Sequence, residues 1–419
     1  MARIVMKFGG TSVGSIERIQ AVAEKVEAEV GRGNQVAVVV SAMSGSTNQL
    51  VEWTRQAGML HDAREYDTVV SSGEQVTIGL LAIALQNRGV DARSWLGWQL
   101  PIVTDDVHGG ARIERIETAT VDARLNAGQV AVIAGFQGLA SDNRITTLGR
   151  GGSDTSAVAI AAALGADRCD IYTDVDGVYT TDPRIVPAAQ KLERISFEEM
   201  LEMASGGAKV LQTRSVAMAM RHGVNLQVLS SFEDLPGTMV VKEEEVMEKN
   251  SVSGIAYSTD EAKVTLAALA DRPGVAAKVF GALADDNVNV DMIVQTAASD
   301  AGKTDITFSV AASELPRAMK VLDAIKDELG IGQVLAEENV CKISVVGMAM
   351  RSQPGVARTM FSTLADKGIN IEVISTSEIK ISVLISRDYT ELAVRSLHTA
   401  FGLDADSATK AFHLTRPLP

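Results

Sequence analysis

Short, nearly unbroken apolar runs recur along the first 240 residues, at Arg3 to Phe8, Gln35 to Ser41, Gln129 to Ala134, Asp170 to Thr173 and Asn225 to Leu229. Each has strand length, and apolar side chains at successive positions fit strands covered on both faces. Between the runs the period changes. Ile16, Ile19, Val22, Val26 and Val30 recur at helical spacing and stop at Gly31, while Ser72 offers an N-cap to an apolar helix over Gln75 to Leu85. Strand and helix in alternation predict an α/β domain over residues 1–240, a mostly parallel sheet sandwiched by helices.

The pattern breaks at KEEEVMEKN, Lys242 to Asn250, just beyond the turn signal Leu235-Pro236-Gly237. Residues 241–259 therefore read as a linker and leading strand, although a run of Glu and Lys also suits a solvated surface helix. Beyond it the chain repeats itself. Pro273-Gly274-Val275 returns as Pro354-Gly355-Val356, Phe280 as Phe361, Leu283-Ala284-Asp285 as Leu364-Ala365-Asp366, Asn289 as Asn370 and Ile293 as Ile374, all at one offset of 81 residues. Each copy opens with a strand (Lys263 to Ala268; Lys342 to Val346), turns at Pro-Gly, runs a helix and enters a second strand. Two further strands follow in each, near Asp305 to Ala311 and Lys380 to Ser386, with a helical pattern after them (Glu314 to Leu329; Glu391 to Phe401). The order βαββαβ is that of the ferredoxin-like unit, which predicts two such domains at 260–335 and 340–410.

Composition narrows the chemistry. With 419 residues, 46% hydrophobic and 22% charged, the chain is neither disordered nor fibrous, and it is long enough for more than one core. A formal charge of −14 repels nucleic-acid backbones and anionic lipid, so neither is an expected partner. Two distant cysteines, Cys169 and Cys341, and five histidines without ligand spacing support neither a disulfide framework nor a zinc site. A reducing cytoplasm is expected, and no run long enough for a signal peptide or membrane span is seen.

Two glycine-rich turns lead into helices. Lys7-Phe8-Gly9-Gly10-Thr11-Ser12 follows the first strand; its glycines would let backbone N–H groups approach a phosphate, with Lys7 adding charge. The order is wrong for a Walker A loop, and no G-x-G-x-x-G with a downstream acid is present. Gly149-Arg150-Gly151-Gly152-Ser153-Asp154-Thr155-Ser156 opens a small-residue helix. Arg150 supplies a planar fork suited to a carboxylate, and Ser153, Asp154 and Thr155 could cap the helix or face a ligand. The loops Ser41 to Thr47 and Ser71 to Glu74 also place hydroxyls at helix starts.

Together these segments carry a resemblance. KFGGTSV at 7–13, VVSAMSGSTN at 39–48, SSGE at 71–74, GFQG at 135–138, TTLGRGGSDTSA at 146–157 and YTDVDGVYTTDPR at 172–184 resemble the aspartate kinases of the amino-acid kinase superfamily, and the repeat resembles their paired ACT domains. The resemblance covers essentially the whole chain, and with the chain ending shortly after the second repeat no fused homoserine dehydrogenase is expected. It implies transfer of the γ-phosphate of MgATP to the β-carboxylate of L-aspartate, giving 4-phospho-L-aspartate, the first step toward lysine, threonine and methionine. Since a carboxylate of pKa ~3.9 is already an anion, no general base is needed.

By the same resemblance Lys7 and Asp154 are catalytic, with Lys7 on the phosphates and Asp154 orienting it. Ser41, Thr47, Glu74, Arg150, Gly151, Gly152 and Ser153 bind aspartate, Arg150 on its α-carboxylate and Glu74 on its ammonium. Phe8, Gly9, Gly10, Thr11, Thr173, Asp174, Tyr179, Asp182, Arg184 and Lys209 bind ATP. Mg2+ is expected on ATP oxygens and water, with no protein ligand assigned. An effector amino acid, lysine or threonine or both, is expected at Asp271, Gly274, Val275, Ala276, Asp291 and Gln295, with Asn370 and Ile371 from a neighbouring second repeat. The assembly is expected to be a homo-oligomer, or α2β2 with a β chain started at Met247. Two rivals remain: an amino-acid sensor on a dead kinase scaffold, and a kinase for another small molecule.

Overall fold

The computed structural model describes residues 1–208, 210–246, 251–297, 302–348, 350 and 355–404. These divide into two compact units. Met1–Val178, Lys191–Ala204 and Lys209–Met247 form the first, while Tyr179–Gln190, Ser205–Ala208 and Glu248–Pro419 form the second. A single break near residue 240 thus misses two excursions, of which Tyr179–Gln190 is the longer.

In the first unit the chain runs β1 (Arg3–Phe8), α1 (Ile16–Gly31), β2 (Gln35–Val40), α2 (Ser46–Ala57), α3 (Ala63–Val70), α4 (Ser72–Asn87), β3 (Ala92–Trp95), β4 (Ile102–Thr104), β5 (Ile113–Ile116), α5 (Ala119–Asn126) and β6 (Val130–Ala134). It continues through β7 (Gln137–Leu139), β8 (Ile145–Thr147), α6 (Gly152–Ala163), β9 (Arg168–Thr173), β10 (Arg194–Ser196), α7 (Phe197–Ser205), α8 (Thr213–His222), β11 (Leu226–Ser230) and β12 (Thr238–Val241). The main sheet has the order β10-β12-β11-β9-β1-β2-β6-β3, and β12 runs antiparallel to β11. Strands β9, β1, β2, β6 and β3 are mutually parallel, as their continuous apolar runs require. A small sheet, β5-β4-β7-β8, stands apart.

Strand periodicity sorts β1 between two layers. Ile4, Met6 and Phe8 share a core with Ile19, Val22 and Val26 of α1 and Ile78, Leu81 and Leu85 of α4. The alternate residue Lys7 points instead to α6, whose first ten residues are all buried and mostly small. Residues 63–87 are, among those described, the one stretch long and apolar enough to cross a bilayer, and Ile78, Leu81, Ala82 and Leu85 place it in this core. Ser72 does not cap α4: its hydroxyl donates back to the Val69 carbonyl at 2.7 Å, so α4 already starts at Ser72.

The second unit contains β13 (Gly254–Ala270), α9 (Val275–Asp285), β14 (Val290–Ala297), β15 (Lys303–Val310), α10 (Leu315–Leu329), β16 (Gln333–Val346), α11 (Gly355–Asp366), β17 (Val373–Thr376), β18 (Lys380–Ser386) and α12 (Thr390–Ala400). One six-stranded sheet, β14-β15-β13-β16-β18-β17, serves both repeats. The long strands β13 and β16 interlock them. Residues 263–267 pair with 333–337 inside the first repeat, whereas residues 254–258 pair with 342–346 and complete the second. Each repeat keeps its own core, Val264, Val279, Leu283, Phe308 and Leu322 in one, Ile343, Met360, Leu364, Val383 and Leu397 in the other.

Candidate active site

At the C-terminal end of β1 the ammonium of Lys7 lies 2.5 Å from the Asp154 carboxylate at the start of α6. Both side chains are about nine-tenths buried, with 11% and 12% of their surface exposed, so deleting either one strands the other charge in a poorly solvated place. The following turn is tightly built. Ser12 N–H donates to the Gly9 carbonyl and Ser44 N–H to the Gly10 carbonyl, at 2.9 and 3.1 Å. A Cβ on Gly10 would come within 3.0 Å of the Ala42 carbonyl, so the glycine is what lets the two loops approach.

The loop after β2 joins this turn to α4. Glu74 is only 2% exposed; its Oε1 accepts the Ala42 N–H at 3.0 Å, and its Oε2, equally buried, has no hydrogen-bond partner among the described residues. Burial pushes the Glu74 carboxyl up to about 7, against the pull of the Ala42 amide. Gly73 is obligatory there, because a Cβ would sit 2.6 Å from that of Ala42. Ser41, half-buried, follows β2, and Thr47 lies in the first turn of α2.

On the α6 side, Gly151 occupies the N-cap position with φ of 71°, in the left-handed region that glycine favours. No side chain caps the helix, so the capping alternative for Ser153 does not hold; a Cβ at Gly135 would be 2.9 Å from the Ser153 side chain. The first-turn N–H groups of α6 are free of side-chain capping beside the Lys7–Asp154 pair. Arg150 is exposed, and its guanidinium has no hydrogen-bond or ion-pair partner among the described residues. Phe8 contributes backbone only, since its ring stacks on Tyr172 within the core.

Thr173 and Asp174 close β9, with the Thr173 hydroxyl donating to Asp174 at 3.0 Å. Tyr179, Asp182 and Arg184 belong to the second unit, where their segment sinks Ile185, Val186 and Ala189 into the core of the second repeat. There Arg184 folds back onto Asp182, Nη2 to Oδ2 at 2.7 Å, and the Tyr257 hydroxyl donates to the same oxygen at 3.1 Å. The Arg184 guanidinium holds the Asp182 carboxyl below its ordinary range. Lys209 and Met247 lie outside the described residues. Among the described residues no group of three or more His, Cys, Asp or Glu side chains could hold a metal ion.

In the first repeat a cavity of about 370 Å3 opens beside the start of α9, lined by Asp271, Arg272, Gly274, Val275, Ala276 and Gln295 among others. Gly274, with φ of 91°, sets the helix entry. Asp291 is not part of this lining: a register shift in β14 between 291 and 294 turns its carboxylate to Lys342, 3.0 Å away. Asn370 is exposed and Ile371 leans on the core of the second repeat, so neither lines the cavity of this chain. Sequence reading also passed over Asp67, His108 and Arg214, which brace the backbone at Thr147 and Leu148, just before Gly149. Isolated residues outside glycine-rich turns leave no local signal.

The amino acid kinase family model matches residues 2–230, and the ACT domain model matches residues 264–324 and 343–401. An aspartate kinase of Stutzerimonas stutzeri is 54% identical over 412 residues, 98% of this chain and 100% of that one. The aspartokinase of Mycobacterium tuberculosis is 47% identical, across 98% and 99% of the two chains. Among solved structures, E. coli aspartokinase III in complex with aspartate and ADP is similar at a TM-score of 0.80 and 28% identity, covering 95% of this chain and 99% of that one. Full-length identity to these enzymes, added to the two domain matches and the Lys7–Asp154 site, means that the chain belongs to the aspartate kinases, enzymes with an amino-acid kinase domain followed by ACT domains.

Proposed function

We propose that this chain moves the γ-phosphoryl group of ATP onto the β-carboxylate of L-aspartate, as the entry step to lysine, threonine and methionine, in a reducing cytoplasm where its buried Cys169 and Cys341 stay thiols. The observation that carries the substrate is Glu74, a buried carboxylate with one oxygen satisfied and the other without a partner. Such a group is complementary to an α-ammonium. Arg150 offers its fork to the α-carboxylate, and Ser41 and Thr47 add hydrogen bonds. Opposite charges at the two ends of the site select a free amino acid.

The nucleophile arrives ionised, so the protein's work is alignment and charge stabilisation. Lys7 sits where negative charge builds on the transferring phosphoryl group, held in place by Asp154. Backbone N–H groups at Gly9, Gly10 and Thr11 face the phosphates, with Thr173 and Asp174 toward the ribose. Mg2+, which prefers oxygen ligands and keeps its waters, would ride on the triphosphate and neutralise part of its charge. The donors available near Lys7 fit that arrangement, since Asp154 is already committed to the ammonium.

The cavity at Asp271, Gly274 and Gln295 is proposed as the feedback site for lysine, threonine or both. A lysine complex of E. coli aspartokinase III, 28% identical at a TM-score of 0.74, supports an amino-acid effector. Assembly into a homo-oligomer, or into α2β2 with a β chain begun at Met247, belongs to the same proposal. The test is ADP release that requires L-aspartate, with L-glutamate and carbamate as controls and lysine and threonine added singly and together. Turnover with glutamate equal to that with aspartate would overturn the substrate; indifference to both effectors would overturn the regulation.

A further inference from the structure

Asp67, on α3, has no exposed surface. Its carboxylate takes donors from two separate loops: His108 Nδ1 at 2.8 Å and the Gly109 N–H at 3.1 Å on one side, the Thr147 N–H at 3.1 Å and hydroxyl at 2.5 Å on the other. Thr147 ends β8, and the next residues are Leu148, Gly149 and Arg150. The two loops are further tied by the Ala111 N–H donating to the Thr147 carbonyl at 2.9 Å.

A second clasp closes the same turn. Arg214, from α8, donates one arm to the Leu148 carbonyl at 2.8 Å and the other to the Ala111 carbonyl at 2.7 Å. Directly after the clasped residues, Gly149 has φ of 75°, and a Cβ there would lie 3.2 Å from the Gly109 carbonyl. The backbone leading into Arg150 is therefore held at two successive residues, Thr147 by α3 and Leu148 by α8, while the Arg150 side chain stays exposed. That division suits a clamp whose base is rigid and whose fork closes on a ligand.

We propose that Asp67 and Arg214 are positioning residues for aspartate, acting through the Leu148-Gly149-Arg150 turn. The inference rests on Arg150 binding the α-carboxylate. Asp67→Asn keeps the shape but replaces one acceptor oxygen with an NH2 group facing N–H donors, so one strut of the turn is lost. Arg214→Lys keeps the charge but holds fewer carbonyls. Asp67 has no exposed surface and both guanidinium arms of Arg214 are taken up by backbone carbonyls, so the damage reaches aspartate only through the turn that carries Arg150.

The test is steady-state kinetics of the full chain with aspartate and ATP varied separately, for Asp67→Asn, Arg214→Lys, Arg150→Ala and the Asp67→Asn/Arg150→Ala double variant. We expect Asp67→Asn to raise the aspartate KM roughly tenfold or more, with the ATP KM within about twofold. Arg214→Lys should shift the same constant by less, and it carries the test if Asp67→Asn does not fold. Once Arg150 is gone, adding Asp67→Asn should cost less than about twofold, because the path runs through that side chain. Equal shifts in both KM values, full additivity, or no shift in either positioning variant would overturn the proposal while leaving the clamp intact. An unchanged aspartate KM in Arg150→Ala would remove the clamp reading itself, and the proposal with it.

Discussion

Glu74 links substrate recognition to folding energy, and the link has a sign. Its carboxyl stands at about 7 in the folded chain against an ordinary 4.5. The folded state therefore binds the proton more tightly than the unfolded state. This group's contribution is fully present below about pH 4.5, falls as pH rises, and is lost above about 7. At ~1.36 kcal/mol per unit, the loss amounts to about 3 kcal/mol of stability above neutrality. Glu74→Gln keeps the shape and an oxygen for the Ala42 N–H but carries no charge at any pH. Without ligand the variant should be more stable than the parent at pH 8, by up to about 3 kcal/mol or roughly 6–12 °C in the midpoint of the kinase unit. Near pH 5 that difference should vanish. L-aspartate should raise the parent's midpoint at pH 8 by more than it raises the variant's at the same concentration. Loss of the charged partner should also raise the aspartate KM by roughly 10–100-fold, since hydrogen bonds to charged groups are worth ~1.5–3 kcal/mol. In the parent, kcat/KM for aspartate should fall on the acid side with an inflection near 7, as protonation of the free enzyme removes the acceptor for the ammonium. Differential scanning fluorimetry at pH 5 and 8, with and without aspartate, reads all the stability terms. A parent-to-variant gap that is the same at both pH values, or a variant that saturates normally with aspartate, would refute the reasoning.

Lys7→Ala should lower kcat by roughly 10²-fold or more, ~2.7 kcal/mol of transition-state stabilisation, and near-normal turnover would remove Lys7 from the mechanism. Arg150→Lys should act mainly on the aspartate KM, since a point charge replaces a fork; an effect on kcat alone would count against the clamp. Gln295→Ala, in the cavity of the first repeat, should relieve feedback inhibition with uninhibited kcat and aspartate KM within about twofold, because coupling of ~1–3 kcal/mol can hinge on one contact. Intact-mass analysis of protein expressed from the unaltered gene separates the two assemblies: a second chain starting at Met247 supports α2β2, and a single full-length species argues against it and leaves the homo-oligomer.

What the sequence determined by itself was whatever depends on neighbours within a few residues. The apolar runs of β1, β2 and β6 are buried along nearly their whole length, and the helical stripe of α1 ends at Gly31 as read. Backbone geometry is local, so glycine turns and strand lengths are legible, and a repeat at constant offset announces two copies of one unit. Lys7 and Asp154 stood out only through their motifs; that Lys7 faces α6 while Phe8 faces the opposite layer came from the structure.

Tertiary structure decided the matters that depend on distant partners. The aspartate carboxyl of residue 67 meets residue 147 only because α3 lies against β8, and no pattern near either one marks the pair. Residues 254–258 complete the second repeat, not the first, because β13 is long enough to pair with both halves of β16. Asp291 turned to Lys342 and away from the cavity for want of one strand register, and a register shift flips a side chain without changing any local preference. Glu74 is ordinary as a sequence letter. Its raised pKa and its unpartnered oxygen come from desolvation, which is set by everything packed around it and so is written nowhere along the chain.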